Sequence, residues 1–286
     1  MTAWETRLAT ARGEFAARIT EPARDSTAVS SGVVLALHGF PDDASTFDAV
    51  AAALAAEGYR VVAPYLRGYA PSPLGGDLGF ASLRDDLLAQ ARAADGGGPV
   101  HLLAHDYGAQ LSFAAMAAEP GAFRSAVLMS GAHPRAISRN TVRHPRQLWL
   151  SRYIVEFQVR GWAERRVSGK NYAYLDRLWD RWSPPGRVPS AHRGRVKATI
   201  AASMPAPIEM YRGGGFGEIG VPIRVPTLFL TGAADGCSLS AMADGREREF
   251  AAPYERRILP GVGHFPQLES PAVVSSAAIA WFADHR

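Results

Sequence analysis

The pattern of apolar and polar positions predicts strands that alternate with helices along most of the chain. Six short runs are predicted as strands, at residues 32–38, 59–63, 100–105, 124–130, 227–231 and 256–259. The first of them, GVVLALH, is a continuous apolar run, as expected for a strand buried on both faces. Weak alternation over residues 4–9 and 14–20 indicates an antiparallel hairpin that precedes them.

Helices are predicted between these strands at residues 45–57 and 107–118, and a closing helix is predicted at residues 272–282. A further helix is predicted to begin at Ser82, because Ser82-Leu83-Arg84-Asp85 matches a capping box. Strands that alternate with helices in this way favour an α/β fold whose sheet is doubly wound and mostly parallel.

The alternation fails between residues 132 and 221. This stretch holds four of the six tryptophans and Pro-rich breaks, and its pattern is helical and irregular. Residues 135–212 carry 14 arginines and 2 lysines against 5 acidic residues, a net charge of +11, whereas the remaining residues sum to −7. We therefore predict a helical lid, residues 132–221, inserted into a core domain formed by residues 1–131 and 222–286. Its expected place is over the carboxyl ends of the strands, where open α/β sheets bind ligands.

Composition adds expectations about location and partners. The chain has 286 residues, and no apolar run in it approaches the roughly 18 residues of a membrane span. Its first residues lack the pattern of a secretion signal, and a single cysteine, Cys237, excludes an internal disulfide and fits a reducing compartment. We expect a cytoplasmic protein, monomeric or homodimeric, that acts on a small molecule and binds neither nucleic acid nor membrane.

A sharp strand-to-helix turn at HLLAHDYGAQLSF, residues 101–113, is the strongest local signal for chemistry. Small residues lie two positions before and two positions after its central residue, as a nucleophile elbow requires. That central residue is Asp106, in the place where the familiar elbow carries serine. We predict that Asp106 is the nucleophile.

Two residues downstream complete a catalytic set. Asp235 follows the predicted strand at residues 227–231, and His264 lies in a glycine-flanked loop after the strand that ends at Leu259. The order of nucleophile, acid and histidine is that of α/β-hydrolases, and each residue follows the carboxyl end of a strand. Each residue alone is commonplace in a loop, but the three together favour a catalytic reading.

No cofactor or metal is predicted. Residues 215–220 match the G-x-G-x-x-G pattern, but no strand precedes them and no helix follows, so a hinge of the lid is favoured over a dinucleotide site. The chain has no phosphate-binding G-x-x-x-x-G-K-[ST] motif and no spacing of ligand residues typical of a metal site.

These motifs resemble the α/β-hydrolase superfamily over nearly the whole chain. His38-Gly39-Phe40-Pro41 is similar to the H-G-x-P loop of its epoxide hydrolase branch, and the elbow resembles H-D-W-G with Tyr107 in place of Trp. The resemblance implies an oxyanion hole formed by the N–H groups of Phe40 and Tyr107. It implies that Asp106 forms an alkyl ester, which water activated by His264 and oriented by Asp235 then hydrolyses.

Two segments of the lid resemble the epoxide hydrolase pattern further. Residues 153–158 are similar to its Y-x-x-x-F-Q segment and residues 210–212 to its W-Y-R segment. The resemblance implies that Tyr153 and Tyr211 protonate the epoxide oxygen as the ring opens to give a vicinal diol. The residues interpreted as substrate contacts around this set are His38, Pro41, His105, Trp149, Phe157 and Phe265. The expected substrate is a hydrophobic or aromatic epoxide, and the arginine-rich lid leaves an anionic one open.

Other functions stay open on the sequence. A haloalkane or haloacid dehalogenase uses the same Asp nucleophile, but neither Phe40 nor Tyr107 has the side-chain N–H that would hold a halide. A lyase, an epimerase or a ligand receptor on the same fold is a further alternative, since fold does not fix chemistry.

Overall fold

The computed structural model describes residues 3–22, 31–213, 219 and 222–286. Within these residues the chain forms one eight-stranded sheet in the order β1-β2-β4-β3-β5-β6-β7-β8. The strands are β1 (Trp4–Thr10), β2 (Gly13–Thr20), β3 (Gly32–Leu37), β4 (Tyr59–Pro64), β5 (Val100–His105), β6 (Phe123–Met129), β7 (Thr227–Gly232) and β8 (Tyr254–Leu259).

The sheet is mostly parallel, as predicted. The hairpin of β1 and β2 is antiparallel, and β2 also pairs antiparallel with β4. Every pairing from β4 through β3, β5, β6 and β7 to β8 is parallel. The central strands are apolar and fully buried, which is why they read as continuous apolar runs.

The described residues form helices both in the core and in the predicted lid. The helices are α1 (Asp48–Ala56), α2 (Phe80–Ala94), α3 (Tyr107–Ala118), α4 (Pro134–Thr141), α5 (Arg146–Leu150), α6 (Arg152–Phe157), α7 (Trp162–Trp182), α8 (Ser190–Ser203), α9 (Ala206–Glu209), α10 (Pro266–Glu269) and α11 (Pro271–Asp284). Helix α1 packs on α11, and α2 packs on α3. These two pairs give the doubly wound arrangement that the alternation predicts.

The predicted start of α2 is wrong. The helix begins at Phe80, and its N-cap is Gly79, whose extended backbone leads into the first turn without a side-chain cap. Ser82 lies inside the helix, and its hydroxyl accepts a hydrogen bond from Arg12 of the hairpin at 2.8 Å. The Ser82 side chain therefore makes a tertiary contact with Arg12 instead of capping the helix as the local pattern had predicted.

The residues predicted as the lid, 132–221, contain helices α4 to α9, which lie between β6 and β7 in the chain. Helix α7 is kinked at Lys170, Asn171 and Tyr172, which have positive φ values of 52°, 52° and 59°. The hinge predicted at residues 215–220 lies outside the described residues except for Ile219. No helix of the described ranges is long and apolar enough to cross a membrane.

A buried ion pair joins the core to the lid. His192 on α8 contacts Asp42, in the loop after β3, with 2.7 Å between Nε2 and Oδ1. Burial lowers the pKa of His192, but the Asp42 carboxylate outweighs burial and leaves that pKa raised. Burial likewise raises the pKa of Asp42, and His192 reverses the shift so that the pKa lies below its usual value.

We expect His192→Ala to lower the free energy of unfolding by about 3–5 kcal/mol, because it leaves the Asp42 carboxylate buried without a cation. Because the pKa of His192 is raised, its contribution to the free energy of unfolding is full below about pH 6.5. Because the pKa of Asp42 is lowered, its contribution is full above about pH 4. Urea unfolding is therefore best measured between these two pH values. Asp180 is 63% exposed and pairs with Arg193 on the lid surface. The control Asp180→Asn should cost about 0–1 kcal/mol. Equal losses for the two variants would contradict the role of the buried pair.

Candidate active site

Asp106 lies at the tip of the turn between β5 and α3. Its backbone is in a sparsely populated conformation, with φ 53° and ψ −118°. Such strain is typical of a residue that the surrounding structure holds for function. The turn also needs glycine beside it, because a Cβ on Gly39 would lie 2.7 Å from the Tyr107 nitrogen and one on Gly108 would lie 2.5 Å from the Leu37 oxygen.

Sheet topology explains why this tip meets the loop that carries Phe40. Strand β3 pairs with β4 on one side and with β5 on the other, so the strand order reverses between β3 and β5. Open α/β sheets bind ligands at the carboxyl ends of strands at such a point. Here the Phe40 N–H donates to Asp106 Oδ1 at 2.9 Å, and Asp106 itself is 7% exposed.

The loops after β7 and β8 bring Asp235 and His264 to the same edge of the sheet. The Nδ1 atom of His264 lies 2.9 and 3.1 Å from the two carboxylate oxygens of Asp235. Asp235 Oδ1 also accepts the N–H groups of Cys237 and Ser238, each at 2.8 Å, which fixes this carboxylate. The other ring nitrogen of His264, Nε2, is 3.4 Å from Asp106 Oδ2. The three predicted residues are therefore brought together in a line of Asp106, His264 and Asp235.

Electrostatics link these groups. Burial lowers the pKa of His264, but Asp235 and the hydrogen bonds to Asp106 and Asp235 outweigh it and leave that pKa well above its usual value. Burial raises the pKa of Asp106, and His264, His105 and the Phe40 N–H overcome it, so the pKa falls below its usual value. The resting site therefore favours an anionic Asp106 beside a cationic His264.

The structure brings both predicted lid tyrosines next to this set. Tyr153 on α6 is buried, and its ring centroid is 5.9 Å from that of Tyr211, which follows α9. The Tyr211 ring lies 5.7 Å from the rings of both Phe40 and Tyr107. Burial, the first cause, and the Asp106 charge raise the pKa of both phenols well above its usual value, so each keeps its O–H at neutral pH.

Two of the residues interpreted as substrate contacts, Phe157 and Phe265, pack against aromatic rings of the site. The Phe157 ring is 5.4 Å from both Phe40 and Tyr211. Phe265 is fully buried, with its ring 5.0 Å from His264. Pro41, another of these residues, is buried directly after Phe40.

The structure places the two histidines of this group in the loop framework. His38 Nδ1 lies 3.0 Å from the Gly39 carbonyl, and its Nε2 accepts the Leu66 N–H at 3.1 Å. His105 Nε2 lies 2.8 Å from the carbonyl of His264. Both side chains are fully buried, and these contacts hold the loops that carry Phe40 and His264.

The structure does not bring Trp149 to the site. Its side chain is 59% exposed on α5, and the Arg152 guanidinium lies 4.0 Å from the centroid of its ring. An aromatic residue in a lid can face outward as well as inward, and a five-residue helix gives too little periodicity to distinguish the two. We therefore leave Trp149 out of the proposed site.

Sequence analysis did not identify Trp182 as a neighbour of the site, and it did not predict the contact that Cys237 makes with Tyr153. The Trp182 ring is 5.1 Å from both Tyr153 and His264, and its carbonyl accepts the His264 N–H at 3.0 Å. Cys237 Sγ is 3.9 Å from the Tyr153 hydroxyl. The position of Cys237 two residues after Asp235 is a signal for its place, whereas nothing local distinguishes Trp182 from the other lid tryptophans.

No group of three or more His, Cys, Asp and Glu residues that could hold a metal ion occurs in the part of the chain that the structure describes. A reaction without metal or cofactor remains a prediction.

Comparison with known proteins places this geometry in a family. A family model described as the alpha/beta hydrolase family matches residues 33–277. Epoxide hydrolase 3 of Xenopus tropicalis is 28% identical over 256 residues, which cover 85% of this chain and 69% of that protein. Epoxide hydrolase A of Mycobacterium tuberculosis is 28% identical over 300 residues, which cover 86% of this chain and 89% of that protein.

Solved structures agree on the fold. An epoxide hydrolase mutant from Bacillus megaterium, complexed with its product, superposes with a TM-score of 0.83 at 19% identity over 98% of this chain and 100% of that one. An epoxide hydrolase from Vigna radiata gives a TM-score of 0.80 at 23% identity, over 99% of this chain and 98% of that one. The resemblance drawn from the motifs is confirmed, and this chain belongs to the alpha/beta hydrolase family.

Proposed function

We propose that this chain is an epoxide hydrolase that opens an epoxide to a vicinal diol through an ester on Asp106. The observation that carries the proposal is the pair of phenols, the buried Tyr153 and the partly buried Tyr211, beside a carboxylate held on an elbow. A carboxylate can displace oxygen from saturated carbon, and phenols can protonate the oxygen that leaves. The names of the similar proteins support the same reaction.

In the first step the Asp106 carboxylate attacks one carbon of the epoxide ring. The carbon–oxygen bond breaks, and the electron pair goes to the epoxide oxygen, which takes a proton from Tyr153 or Tyr211. The product of this step is a hydroxyalkyl ester of Asp106. The raised pKa of each phenol keeps the proton in place until the alkoxide, a stronger base than a phenolate, develops.

In the second step water attacks the carbonyl carbon of the ester. Esterification removes the negative charge of Asp106, which is one of the groups that hold the pKa of His264 high. We infer that His264 then loses its proton more readily and, oriented by Asp235, takes a proton from the attacking water. The N–H groups of Phe40 and Tyr107 stabilise the oxyanion that forms on Asp106. Collapse of this intermediate breaks the bond to the diol oxygen, which takes the proton that His264 received from water. The carboxyl group left on Asp106 gives its proton to His264, and the proton that His264 released after the first step restores the phenol, so the site returns to its starting state.

The substrate that this site supports best is hydrophobic or aromatic. Phe40, Phe157 and Phe265 pack around the catalytic groups, and the lid contributes Phe157 from the same helix as Tyr153. We keep the division into a core of residues 1–131 and 222–286 and a lid of residues 132–221 as part of the proposal. A cytoplasmic location and a monomeric or homodimeric state also remain predictions.

His264→Ala tests the two-step scheme. We expect the first step to proceed and the second to stop, so that incubation with styrene oxide adds the full mass of the epoxide to the protein. Intact-protein mass spectrometry reads the result, and peptide mapping should place the adduct on Asp106. A haloalkane adduct would instead add the alkyl group alone, because the halide leaves.

The control for this experiment is the double variant Asp106→Asn/His264→Ala. It should show no adduct, because the attacking carboxylate is gone. An adduct on the double variant would mean that another side chain attacks the epoxide. No adduct on either variant, with both folded, would contradict the ester mechanism.

One observation favours dehalogenation as a second candidate. The indole Nε1 of Trp182 is buried and has no hydrogen-bond partner among the described residues, and a halide is stabilised by such a donor. Neither Phe40 nor Tyr107 has a side-chain N–H, so the indole of Trp182 is a donor that the sequence motifs did not indicate. The paired tyrosines still favour the epoxide, because a halide needs no proton.

A further inference from the structure

The outer surface of the lid carries large apolar side chains that the fold leaves uncovered. Leu148, Trp149, Val155 and Val159 are 64%, 59%, 71% and 54% exposed, and Trp162 is 40% exposed. Leu148, Val155, Val159 and Trp162, together with Arg152 and Glu156, line a shallow groove of about 620 Å³. We call the five apolar residues the apolar face. Contiguous apolar surface of this kind marks a site of interaction.

One residue of the apolar face, Val155, lies on the helix that also carries Tyr153. Val155 is exposed on α6, whereas Tyr153 and Phe157 of the same helix are buried against Phe40, Trp182 and Tyr211. Packing inside the lid therefore does not account for the outward side chains, because the helix already buries its other face.

Arginines surround the apolar face. The Arg152 guanidinium lies over Trp149, and the Arg166 guanidinium lies 5.0 Å from the ring centroid of Trp162. Arg146, on the same helix as Trp149, is exposed. Neither Arg146 nor Arg152 forms an ion pair with any carboxylate of the described residues, so their charge is available to a partner.

We propose that the apolar face and its arginine rim dock onto the surface of an anionic lipid bilayer. Tryptophan and aliphatic side chains enter the boundary between headgroups and acyl chains, while arginines beside them bind anionic headgroups. The lid, with a net charge of +11 over residues 135–212, approaches such a surface favourably. This departs from the expectation that the chain binds no membrane, and it does not depend on the proposed reaction.

Charge argues against a second copy of this chain as the occupant. A symmetric dimer through the apolar face would bring the unpaired Arg146 and Arg152 of one copy towards the same residues of its partner, and like charges at an interface disfavour association. An anionic surface has the opposite effect. A bilayer also offers the hydrocarbon into which Leu148, Val155 and Val159 can insert.

Vesicle binding of the full chain tests the proposal. We expect flotation with vesicles of phosphatidylcholine and phosphatidylglycerol, little flotation with phosphatidylcholine alone, and weaker binding as salt rises. Arg146→Gln/Arg152→Gln should weaken binding about 30-fold, from about fivefold for each arginine near the surface. Leu148→Ser/Val155→Ser/Val159→Ser should weaken it on the order of 100-fold, because the inserted groups are lost.

Two controls lie on the core. Val273 is 50% exposed on α11, and Arg257 is exposed on β8, where it pairs with Glu255. Val273→Ser and Arg257→Gln should leave vesicle binding unchanged. Circular dichroism checks that every variant is folded.

Three results would overturn the proposal. One is that, at low salt, the protein binds equally to vesicles with and without phosphatidylglycerol, or binds to neither kind. Another is binding that the lid variants leave intact. The third is a dimer of this protein in sedimentation, or binding to polyglutamate but not to vesicles, where the lid variants abolish the association. Either result would mean that the apolar face binds a protein partner.

Discussion

Asp106→Asn should abolish epoxide opening, with a loss of activity on the order of 10⁵-fold, because the amide cannot supply the attacking carboxylate. The variant should fold, since asparagine is among the residues that best tolerate the positive φ of 53° found at this position. Its amide oxygen can still accept the Phe40 N–H that the carboxylate accepts now. Diol formation from styrene oxide, followed by chromatography, gives the measurement.

Asp235→Asn is the matched control, because it changes a second buried carboxylate that contacts the same histidine. Loss of the orienting carboxylate should lower turnover about 10⁴-fold. It should nevertheless leave the first step possible, so an ester on Asp106 accumulates in Asp235→Asn and never in Asp106→Asn. Equal adduct in both variants would show that Asp106 is not the nucleophile.

Heavy-oxygen water adds a test that needs no variant. Water attacks the ester carbonyl carbon in the proposed second step, so one labelled turnover should put the label in the Asp106 carboxylate. The diol of that turnover should carry none. Label found first in the diol would mean that water attacks the epoxide carbon directly.

The part of the site nearest the sheet could be predicted from the sequence, and the reason is topological. Parallel strands end at one edge, so residues that follow such strands meet there whatever their distance along the chain. Asp106, Asp235 and His264 each follow a strand that the apolar pattern identifies. The structure places the two ring nitrogens of His264 3.4 Å from Asp106 and 2.9 Å from Asp235. Local rules were enough because the sheet supplies the long-range geometry.

The lid could be predicted only as a helical insertion. Its helices α5 and α6 are short, and α7 is kinked at three non-glycine residues of positive φ that directly follow Gly169. The direction of a side chain on such helices depends on tertiary packing, so the exposed Trp149 and the buried Trp182 are not distinguishable by composition. The capping pattern at Ser82 shows the same limit in the core, since Arg12 from a distant hairpin takes the hydroxyl.

The two lid tyrosines carry the second large effect. We expect Tyr153→Phe and Tyr211→Phe each to slow ester formation from styrene oxide about 10²-fold, and the double variant to slow it about 10⁴-fold, since general acid help is typically worth 10²–10⁴-fold. The rate is measured before the steady state, by rapid mixing and mass detection of the Asp106 ester. Each variant removes a hydroxyl and keeps the ring, so the packing of Tyr153 on Trp182 and of Tyr211 on Phe40 is retained.

Tyr174→Phe is the control within the same lid. Tyr174 is also buried on a lid helix, but its hydroxyl donates to Glu156 at 2.8 Å and is already satisfied there. Its loss should reduce stability by about 1.5–3 kcal/mol, the typical value of a hydrogen bond to a charged group, and leave the rate of ester formation nearly unchanged.

A haloalkane probe decides between the two leading reactions. A halide leaves without a proton, so any ester formation from 1-bromobutane should survive Tyr153→Phe/Tyr211→Phe. In the same double variant an epoxide oxygen would have to leave as an unprotonated alkoxide, so ester formation from an epoxide should be slow. We expect the wild type to open styrene oxide and the double variant not to open it. Any rate of ester formation from 1-bromobutane should be the same in both proteins. Unimpaired epoxide opening by the double variant would mean that both tyrosines only pack the lid. A wild type that reacts with the bromide alone would assign the site to dehalogenation, with the Trp182 indole as the donor to the leaving halide.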